Sequence, residues 1–421
     1  MRTLRRGRSS PDVLATPGNA GIARDGVECL PSGDVVAEAL ERDVDLVVVG
    51  PEAPLVAGLV DDLHAAGIAA FGPTRAAARI EGSKAYAKEL MRDCGVPTAS
   101  HVMFRDRDEA MAHLACASYP AVLKADVLAA GKGVIIAQDE REAREAVDVF
   151  FGEKRFGETE VVLEQFLEGE ELSLLAFCDG ERAVPLAPAQ DYKRIFDGDE
   201  GPNTGGMGSY SPVPGIDADR AREMAAAVHQ PVVDELRRRG TPFHGVLYAG
   251  LMMGTRGEPK VLEYNARFGD PETQAVLPRL RSDLLELLEA STRPGGLADV
   301  EPEWADDWAV TVVLASKGYP ESSSSGDVIH GLDEVEEAEV FHAGTAERGG
   351  EIVTAGGRVL NVTGLGSTPG EARDRAYAGV ERINFEGCRL RSDIAARVVM
   401  TSGGSRPRAP EAPGRPGRLR A

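Results

Sequence analysis

Two oxygen-bearing side chains, Glu263 and Asn265, lie two residues apart in the segment VLEYNARFGDPETQ at 261–274. Alternate residues of a β-strand point to the same face, so this strand would present a carboxylate and an amide together. Mg²⁺ takes one or two protein oxygen ligands and completes its octahedron with water and substrate phosphates. Arg267 follows on the same face. The segment predicts a magnesium site, and an edge strand with solvated polar residues is the alternative.

A second segment, LKADVLAAGKGV at 123–134, carries Lys124 and Lys132 on either side of a loop of small residues. Such a loop can bring its backbone N–H groups close to phosphates while a lysine supplies positive charge. Neither a Walker A sequence nor GxGxxG is present. The segment indicates a phosphate-binding loop, and a plain hairpin turn is the alternative.

Two further segments add to this chemistry. In VVLEQFLEGEELSL at 161–174 an apolar strand leads through an acidic turn into a second strand. A segment of this type can bind adenine through backbone groups and ribose through a carboxylate. A charged hairpin tip is the alternative. The stretch DGDEGPNTGGMGSYSPVPG at 197–215 is too long and too rich in glycine for an idle connection. The seven histidines show no metal-ligand spacing, and no nucleophile elbow is present.

The elements that would position these segments begin with alternating strands and helices. Residues 45–73 read as strand, turn, helix and strand, and the pattern upstream at 13–21 and 33–43 reads as a strand and a helix. This alternation predicts a parallel sheet. A new unit starts near Ser83 with an N-cap, a helix and a stop at Gly95.

The rest of the chain predicts a second and a third unit. Strands are expected at 119–139, 161–180 and about 245–264, with helices at 141–151, 218–238 and 282–290. Beyond Pro294 a small α+β unit extends to about residue 398, and the Pro-, Gly- and Arg-rich end predicts a disordered tail.

Composition limits the classes of function. The 421 residues carry 47 Lys and Arg against 68 Asp and Glu, a formal net charge of −21, which disfavours nonspecific nucleic-acid or anionic-membrane binding. The five dispersed cysteines suggest neither a disulfide framework nor a zinc site. No apolar run approaches the ~18 residues of a membrane span. We expect a cytoplasmic protein.

The order of these segments resembles that of the ATP-grasp ligases: a lysine, a small-residue loop, an acidic hairpin, a glycine-rich stretch and a strand with a carboxylate and an amide. More narrowly, GPNTGGMG and NARFGDPETQ resemble the glycinamide ribonucleotide synthetase family, with similarity from about residue 13 to 398. The resemblance implies mixed α/β and α+β architecture. We expect a truncated Rossmann-like N-terminal domain at 1–77, an ATP-grasp domain at 78–295, a C-terminal α+β domain at 303–398 and a tail at 399–421.

The resemblance also implies an activity. The family joins glycine to 5-phosphoribosylamine through glycyl phosphate and splits ATP, as co-substrate, to ADP and phosphate in purine synthesis, with Mg²⁺ or Mn²⁺. A monomer or weak oligomer is expected, with no nucleic-acid or membrane partner. Another ATP-grasp carboxylate–amine ligase and an ATP-binding protein without ligase activity are the alternatives.

Carried onto this sequence, the family's site residues fall into four groups. Arg267 is the expected catalytic residue, and Glu263 and Asn265 are the expected metal ligands. The expected ATP-binding residues are Lys84, Lys124, Gly131, Lys132, Gly133, Glu164, Gln165, Phe166, Leu167 and Glu171. The expected substrate-binding residues are Gly18, Asn19, Pro51, Glu52, Asp191, Lys193, Gly205, Gly206, Met207, Gly208 and Asp270.

Two departures from the family pattern stand out. The family's opening strand and glycine-rich loop, reading like GSGGREHA, are replaced by MRTLRRGRSSP, so the first βα unit is expected to be missing. Val127 stands where the family's loop has glycine. A β-branched residue is costly there if the position requires positive φ.

Overall fold

The computed structural model describes residues 1–128, 133–255 and 257–401. The helices are α1 (Arg2–Arg6), α2 (Ala20–Arg24), α3 (Val35–Glu41), α4 (Glu52–Ala57), α5 (Leu59–Ala65), α6 (Arg75–Gly82), α7 (Lys84–Cys94), α8 (Arg107–Leu114), α9 (Glu140–Val147), α10 (Ala218–Val228), α11 (Gln230–Arg238), α12 (Glu272–Val276), α13 (Leu284–Ser291), α14 (Pro369–Arg382) and α15 (Ala396–Thr401). Residues 402–421 of the predicted tail lie outside the described residues, and 399–401 end α15.

The strands are β1 (Leu14–Ala15), β2 (Glu28–Cys29), β3 (Leu46–Val48), β4 (Ala69–Phe71), β5 (His101–Phe104), β6 (Ala121–Ala125), β7 (Val134–Ala137), β8 (Val161–Gln165), β9 (Glu170–Asp179), β10 (Ala183–Pro185), β11 (Gln190–Asp191), β12 (Arg194–Phe196), β13 (Glu200–Asn203), β14 (Gly208–Ser211), β15 (His244–Met253), β16 (Pro259–Asn265), β17 (Trp308–Ala315), β18 (Ser325–Val328), β19 (Ala338–His342), β20 (Thr345–Arg348), β21 (Glu351–Ala355) and β22 (Arg358–Gly366). In the ranges described, no helix is both long and apolar enough to cross a bilayer.

The N-terminal part contains parallel strand pairs, as the alternating pattern predicts. β1 pairs with β2 and β3 pairs with β4, both in parallel. The helix predicted between β3 and β4 is divided into α4 and α5, because Gly58 adopts φ +97° between them. Leu55, Val60 and Leu63 from these helices are fully buried and form the local core.

The central part is built on two four-stranded antiparallel sheets. One has the order β5-β8-β6-β7 and the other β10-β9-β15-β16. Helix α7 begins as predicted, since the Ser83 hydroxyl accepts from the N–H of Tyr86, and it ends at Gly95 with φ +71°. The single helix predicted over 218–238 breaks at His229, because Pro231 cannot donate the hydrogen bond that would continue it.

The glycine-rich stretch is part of the folded sheets and not a simple loop. β12 and β13 form a hairpin, and β14 joins the five-stranded sheet β11-β14-β17-β22-β19. Arg391, whose side chain is fully buried, anchors this hairpin through an ion pair with Asp199 at 2.9 Å and a hydrogen bond to the carbonyl of Arg194 at 3.1 Å, while Asp393 pairs with its guanidinium at 2.7 Å. The stretch therefore links the central and C-terminal parts.

The C-terminal part has the predicted α+β character. β17 and β22 pair along eight residues of β17, and α14 starts at a cap in which the Thr368 hydroxyl accepts from the N–H of Glu371. A second sheet has the order β18-β21-β20. The core between sheet and helix includes Val310, Val362 and Ala376, which are fully buried.

We expect Gly245→Ala to destabilise the contact between the N-terminal and central parts. Gly245 has φ +112°, and a Cβ there would lie 2.9 Å from the Cα of Gly72. Overpacking costs about 1–3 kcal/mol and a left-handed backbone about 1–2 kcal/mol. Thermal unfolding should show a larger loss of stability for Gly245→Ala than for the control Gly240→Ala. Gly240 has φ +78°, and a Cβ there would lie in open space. Equal losses would contradict the prediction.

Candidate functional site

A cavity of about 550 Å³ lies between the two central sheets. Its walls come from β6, β7 and β8 of one sheet, from β16 of the other, and from α7. The N-terminal part adds the start of α4, and the C-terminal part adds Arg358. All three parts of the chain therefore contribute to one site.

Most of the residues predicted from the sequence line this cavity. They are Pro51, Glu52, Lys84, Lys124, Gly133, Glu164, Gln165, Phe166, Leu167, Glu171, Lys193, Gly205, Glu263, Asn265, Arg267 and Asp270. Gly131 and Lys132 lie outside the described residues. Six others do not line the cavity, namely Gly18, Asn19, Asp191, Gly206, Met207 and Gly208.

The residues away from the cavity wall have clear local contacts. Asn19 caps α2 and donates to the carbonyl of His342 at 2.8 Å. Met207 is fully buried, and its N–H donates to the carbonyl of Tyr192 at 2.7 Å. Gly208 pairs with Val312 in the sheet. The backbone of Met207 and Gly208 is therefore engaged in the sheet.

Lys84 lies where the small-residue loop leaves β6. Its Nζ donates to the carbonyl of Val127 at 2.8 Å, and burial lowers the pKa of Lys84. Asp126 accepts from the hydroxyl of Ser83 at 3.0 Å and from the N–H of Ala85 at 3.1 Å, which fixes the loop to the start of α7. Val127 is not among the described non-glycine residues with positive φ, so its β-branch causes no such strain.

Two buried lysines share one buried carboxylate in the wall of the cavity. Lys124 lies 3.0 Å from Oε1 of Glu164, and Lys88 lies 3.1 Å from Oε2. Lys124 also donates to the carbonyl of Leu262 at 3.2 Å. Lys88 was not predicted from the sequence, although its position four residues after Lys84 puts both lysines on one helix face.

Glu263 and Asn265 face the cavity from β16. Gly250 lies opposite Glu263 in the ladder, and a Cβ there would touch the Glu263 Cγ at 3.4 Å, so the absence of a side chain leaves space beside the carboxylate. Burial acts to raise the pKa of Glu263, but Lys193, Lys124 and Lys84 together lower it below its ordinary value. Glu263 is therefore an anion surrounded by cations.

Arg267 is held between the side chains of Glu52 and Glu81. Its Nε donates to Glu52 at 2.9 Å, its Nη2 lies 3.1 Å from Glu81, and its Nη1 donates to the carbonyl of Phe268 at 3.1 Å. Glu81 also accepts from the N–H of Ala266 at 2.6 Å. Burial raises the pKa of Glu81 to about 7, with Arg267 acting in the opposite direction.

A buried polar network lies behind Lys193. The Lys193 ammonium donates to Asp191 at 2.7 Å, and Asp191 accepts from the hydroxyl of Ser173 at 3.1 Å. Ser173 is 2.9 Å from the hydroxyl of Tyr248, which donates to Glu272 at 2.7 Å. Burial and then Asp191 raise the pKa of Glu272. Asp191 therefore supports Lys193 from behind the cavity wall.

Arg358 of β22 closes the cavity on the side of the C-terminal part. Its Nη1 donates to the carbonyls of Gly205 at 2.8 Å and Asp270 at 2.6 Å, and its Nη2 lies 3.3 Å from the Asp270 carboxylate. Four residues of the site were not predicted from the sequence, namely Arg358, Glu81, Tyr248 and Glu272. Glu272 stands inside the motif NARFGDPETQ, and that motif could have indicated a role in the site. Arg358 lies about 90 residues further along the chain.

Comparison with known proteins assigns most of the chain to one family. Models for the phosphoribosylglycinamide synthetase N domain, ATP-grasp (A) domain and C domain match residues 1–81, 82–273 and 309–397. A phosphoribosylamine–glycine ligase of Streptomyces coelicolor is 52% identical over 402 residues, covering 92% of this chain and 94% of the relative. One from Caldanaerobacter subterraneus is 47% identical over 391 residues, covering 91% and 93%.

Solved structures give the same result. The crystal structure of a phosphoribosylamine–glycine ligase from Thermotoga maritima matches with a TM-score of 0.80 and 37% identity, covering 93% of this chain and 96% of that chain. A biotin carboxylase domain from Hydrogenobacter thermophilus matches with a TM-score of 0.70 at 16% identity, covering 92% and 88%, which is a likeness of fold alone.

The raised pKa of Glu81 predicts a pH effect on stability. From pH 4.5 to about 7 the unfolded carboxyl is ionised while the folded one keeps its proton, so stability falls as pH rises. At ~1.4 kcal/mol per pH unit the loss approaches ~3 kcal/mol. Between pH 4 and 8, the free energy of unfolding measured with urea should fall by about this much more for wild type than for Glu81→Gln. A difference between the two proteins that does not change with pH would contradict the prediction.

Proposed function

Because the chain belongs to the phosphoribosylamine–glycine ligase family, we propose that its cavity joins glycine to 5-phosphoribosylamine. The reaction is that of an ATP-grasp carbon–nitrogen ligase of purine biosynthesis. The observation that carries the proposal is the meeting of Lys84, Lys124, the Glu263–Asn265 pair and Arg267 in one cavity.

ATP is proposed to lie between the two central sheets. Lys84 and Lys124 would contact its phosphates, since their ammonium groups line the cavity beside the small-residue loop. The backbone of 164–167 would meet adenine, and Glu171 would accept from the ribose hydroxyls. The Glu164 carboxylate is engaged by two lysines, which supports a backbone role for this residue.

Glu263 and Asn265 fit a Mg²⁺ or Mn²⁺ ion that accompanies ATP. The donor set is one anionic carboxylate and one amide, a number of protein ligands that leaves positions for water and phosphate. No cluster of three or more His, Cys, Asp or Glu that could hold a metal occurs in the described ranges. When bound, the ion would supply Lewis-acid charge on the phosphoryl oxygens.

In the first step the glycine carboxylate attacks the γ-phosphate, so that an oxygen–phosphorus bond forms as the bond to the ADP oxygen breaks. Arg267 would bind the glycine carboxylate or the resulting glycyl phosphate. Glu52 and Glu81 hold its guanidinium from two sides, which supports a fixed orientation of the remaining N–H donors. Such fixed donors stabilise charge that develops in the transition state.

In the second step the amine of 5-phosphoribosylamine attacks the glycyl carbon, and the carbon–oxygen bond to phosphate breaks. The departing phosphate can accept the proton that the amine releases. Pro51, Glu52, Lys193, Gly205 and Asp270 would contact this substrate, since all five line the cavity. Walls from all three parts of the chain would limit the access of water to the acyl phosphate.

The other predicted substrate contacts stay predictions. Gly18, Asn19, Asp191, Gly206, Met207 and Gly208 lie outside the cavity lining in the arrangement described. We further propose a cytoplasmic location and a monomer or weak oligomer. The net charge of −21 supports the absence of nucleic-acid and membrane partners.

The proposal is tested by ADP release. With ATP and Mg²⁺, release is expected only when glycine and 5-phosphoribosylamine are both present. Binding of ATP without ADP release would favour a nucleotide-binding protein without catalysis. Faster release with another carboxylate and amine would favour a different ATP-grasp ligase.

Glu263→Gln should slow turnover by about a hundredfold or more, because the neutral amide removes an anionic ligand at the metal position. Metal titrations of activity should also shift to higher Mg²⁺ concentration. The exposed Glu153→Gln serves as the matched control and should behave as wild type. Unchanged turnover and Mg²⁺ dependence in Glu263→Gln would refute the assignment.

Arg267→Lys should lower kcat/KM for glycine by about a hundredfold, because an ammonium cannot reproduce the planar fork of a guanidinium. Calorimetric affinity for a non-hydrolysable ATP analogue should change little. Arg281→Lys, at a side chain 65% exposed, is the control. Near-normal turnover in Arg267→Lys would assign Arg267 a structural role.

A further inference from the structure

Lys88 is a buried cation to which the proposed chemistry gives no role. It lies one turn after Lys84 on α7, and its side chain is only 3% exposed. Burial lowers the pKa of Lys88, and the Glu164 carboxylate opposes this effect. A buried ammonium is costly unless it is paired and hydrogen-bonded, so its contacts indicate why the fold retains it.

The contacts of Lys88 connect the two central sheets. Its Nζ lies 3.1 Å from Glu164 on β8 and donates to the hydroxyl of Thr98 at 2.7 Å. That hydroxyl donates its single hydrogen to the carbonyl of Val261 on β16 at 2.6 Å, so a lone pair faces Lys88. Lys88 therefore bridges the strand that carries Glu164 and the strand that carries Glu263.

The same contacts control the charge at Lys124. Glu164 is 2% exposed and lies within 3.1 Å of both ammonium groups. One negative charge shared by two positive charges leaves one net positive charge beside the cavity. If Lys88 were neutral, Glu164 would fully neutralise Lys124, which would then attract an anion less strongly.

We propose that Lys88 is a positioning residue for the nucleotide: it divides the charge of Glu164, leaves the charge of Lys124 available to a phosphate, and fixes the distance between the two sheets. This inference rests on the proposed placement of ATP phosphates at Lys124. It assigns Lys88 no contact with the reacting atoms. The loss of Lys88 should therefore weaken nucleotide binding and leave the chemical step intact.

Lys88→Met tests this role. Calorimetry with a non-hydrolysable ATP analogue and Mg²⁺ should show an affinity about tenfold lower than wild type, in the range expected for losing one charged hydrogen-bonding partner. KM for ATP should rise to match, with kcat at saturating ATP within about twofold of wild type and KM for glycine unchanged. Lys317→Met, at a side chain 69% exposed on the C-terminal part, is the control and should match wild type.

A second variant covers the case in which Lys88→Met does not fold. Thr98→Val keeps the ion pair with Glu164 but removes the link to Val261, and it should lower the analogue affinity by a smaller factor, about threefold. If the effect of Lys88 passes through Glu164, adding Lys88→Met to Glu164→Gln should reduce affinity less than Lys88→Met does alone. An unchanged affinity, or a fall in kcat with KM for ATP unchanged, would overturn the proposal.

The calorimetric measurement separates this inference from the proposed function. If wild type binds the analogue and Lys88→Met binds it less tightly, the positioning role stands even if glycine and 5-phosphoribosylamine give no ADP release. If wild type shows ligation and Lys88→Met binds the analogue normally, the positioning role fails and the proposed function stands.

Discussion

A concentration of positive charge inside an acidic protein is the constraint on which the site depends. The chain carries a net charge of −21, yet Lys193, Lys124 and Lys84 surround Glu263 closely enough to lower its pKa against the effect of burial. Burying these cations is costly unless each has a partner. The fold supplies Glu164 for Lys124 and Asp191 for Lys193, and these pairings explain much of the architecture around the cavity.

The same constraint explains why all three parts of the chain meet at one cavity. Arg267 extends from the end of β16 to Glu52 at the start of α4 and Glu81 in α6, so the N-terminal part has to dock against the central sheet. The close approach of Gly72 and Gly245 permits that docking. On the opposite side β14 enters the C-terminal sheet, and Arg358 then holds the carbonyl of Gly205. The domain limits 1–77, 78–295 and 303–398 stay predictions. Strand β14 pairs with β17 across the limit between the second and third of them.

Local patterns in the sequence predicted the side chains that line the cavity. The side chains that hold them in position could be identified only from the folded structure. Glu263 and Asn265 follow from strand alternation, and Lys124 follows from a loop of small residues. Lys88 and Glu81 were missed because a buried charge on a helix resembles a solvated one until its partner is known. The break at His229 was missed although Pro231 is a local signal for it. The sheet formed by the glycine-rich stretch was missed because local composition does not reveal pairing with distant strands.

The arrangement of partners also suggests how charge can move through the reaction without leaving a cation unmatched. Lys84 bonds a carbonyl, and the described part of the chain gives it no carboxylate within ion-pair distance, so its charge is available to an anionic ligand. Lys193 and Arg267 each have a carboxylate partner. In the proposed arrangement of ATP and glycine, negative charge would move from the lysine pair at β6 and α7 toward these paired cations as the phosphoryl group is transferred. Their existing partners would then limit how tightly they hold the acyl phosphate, which favours its onward reaction with the amine.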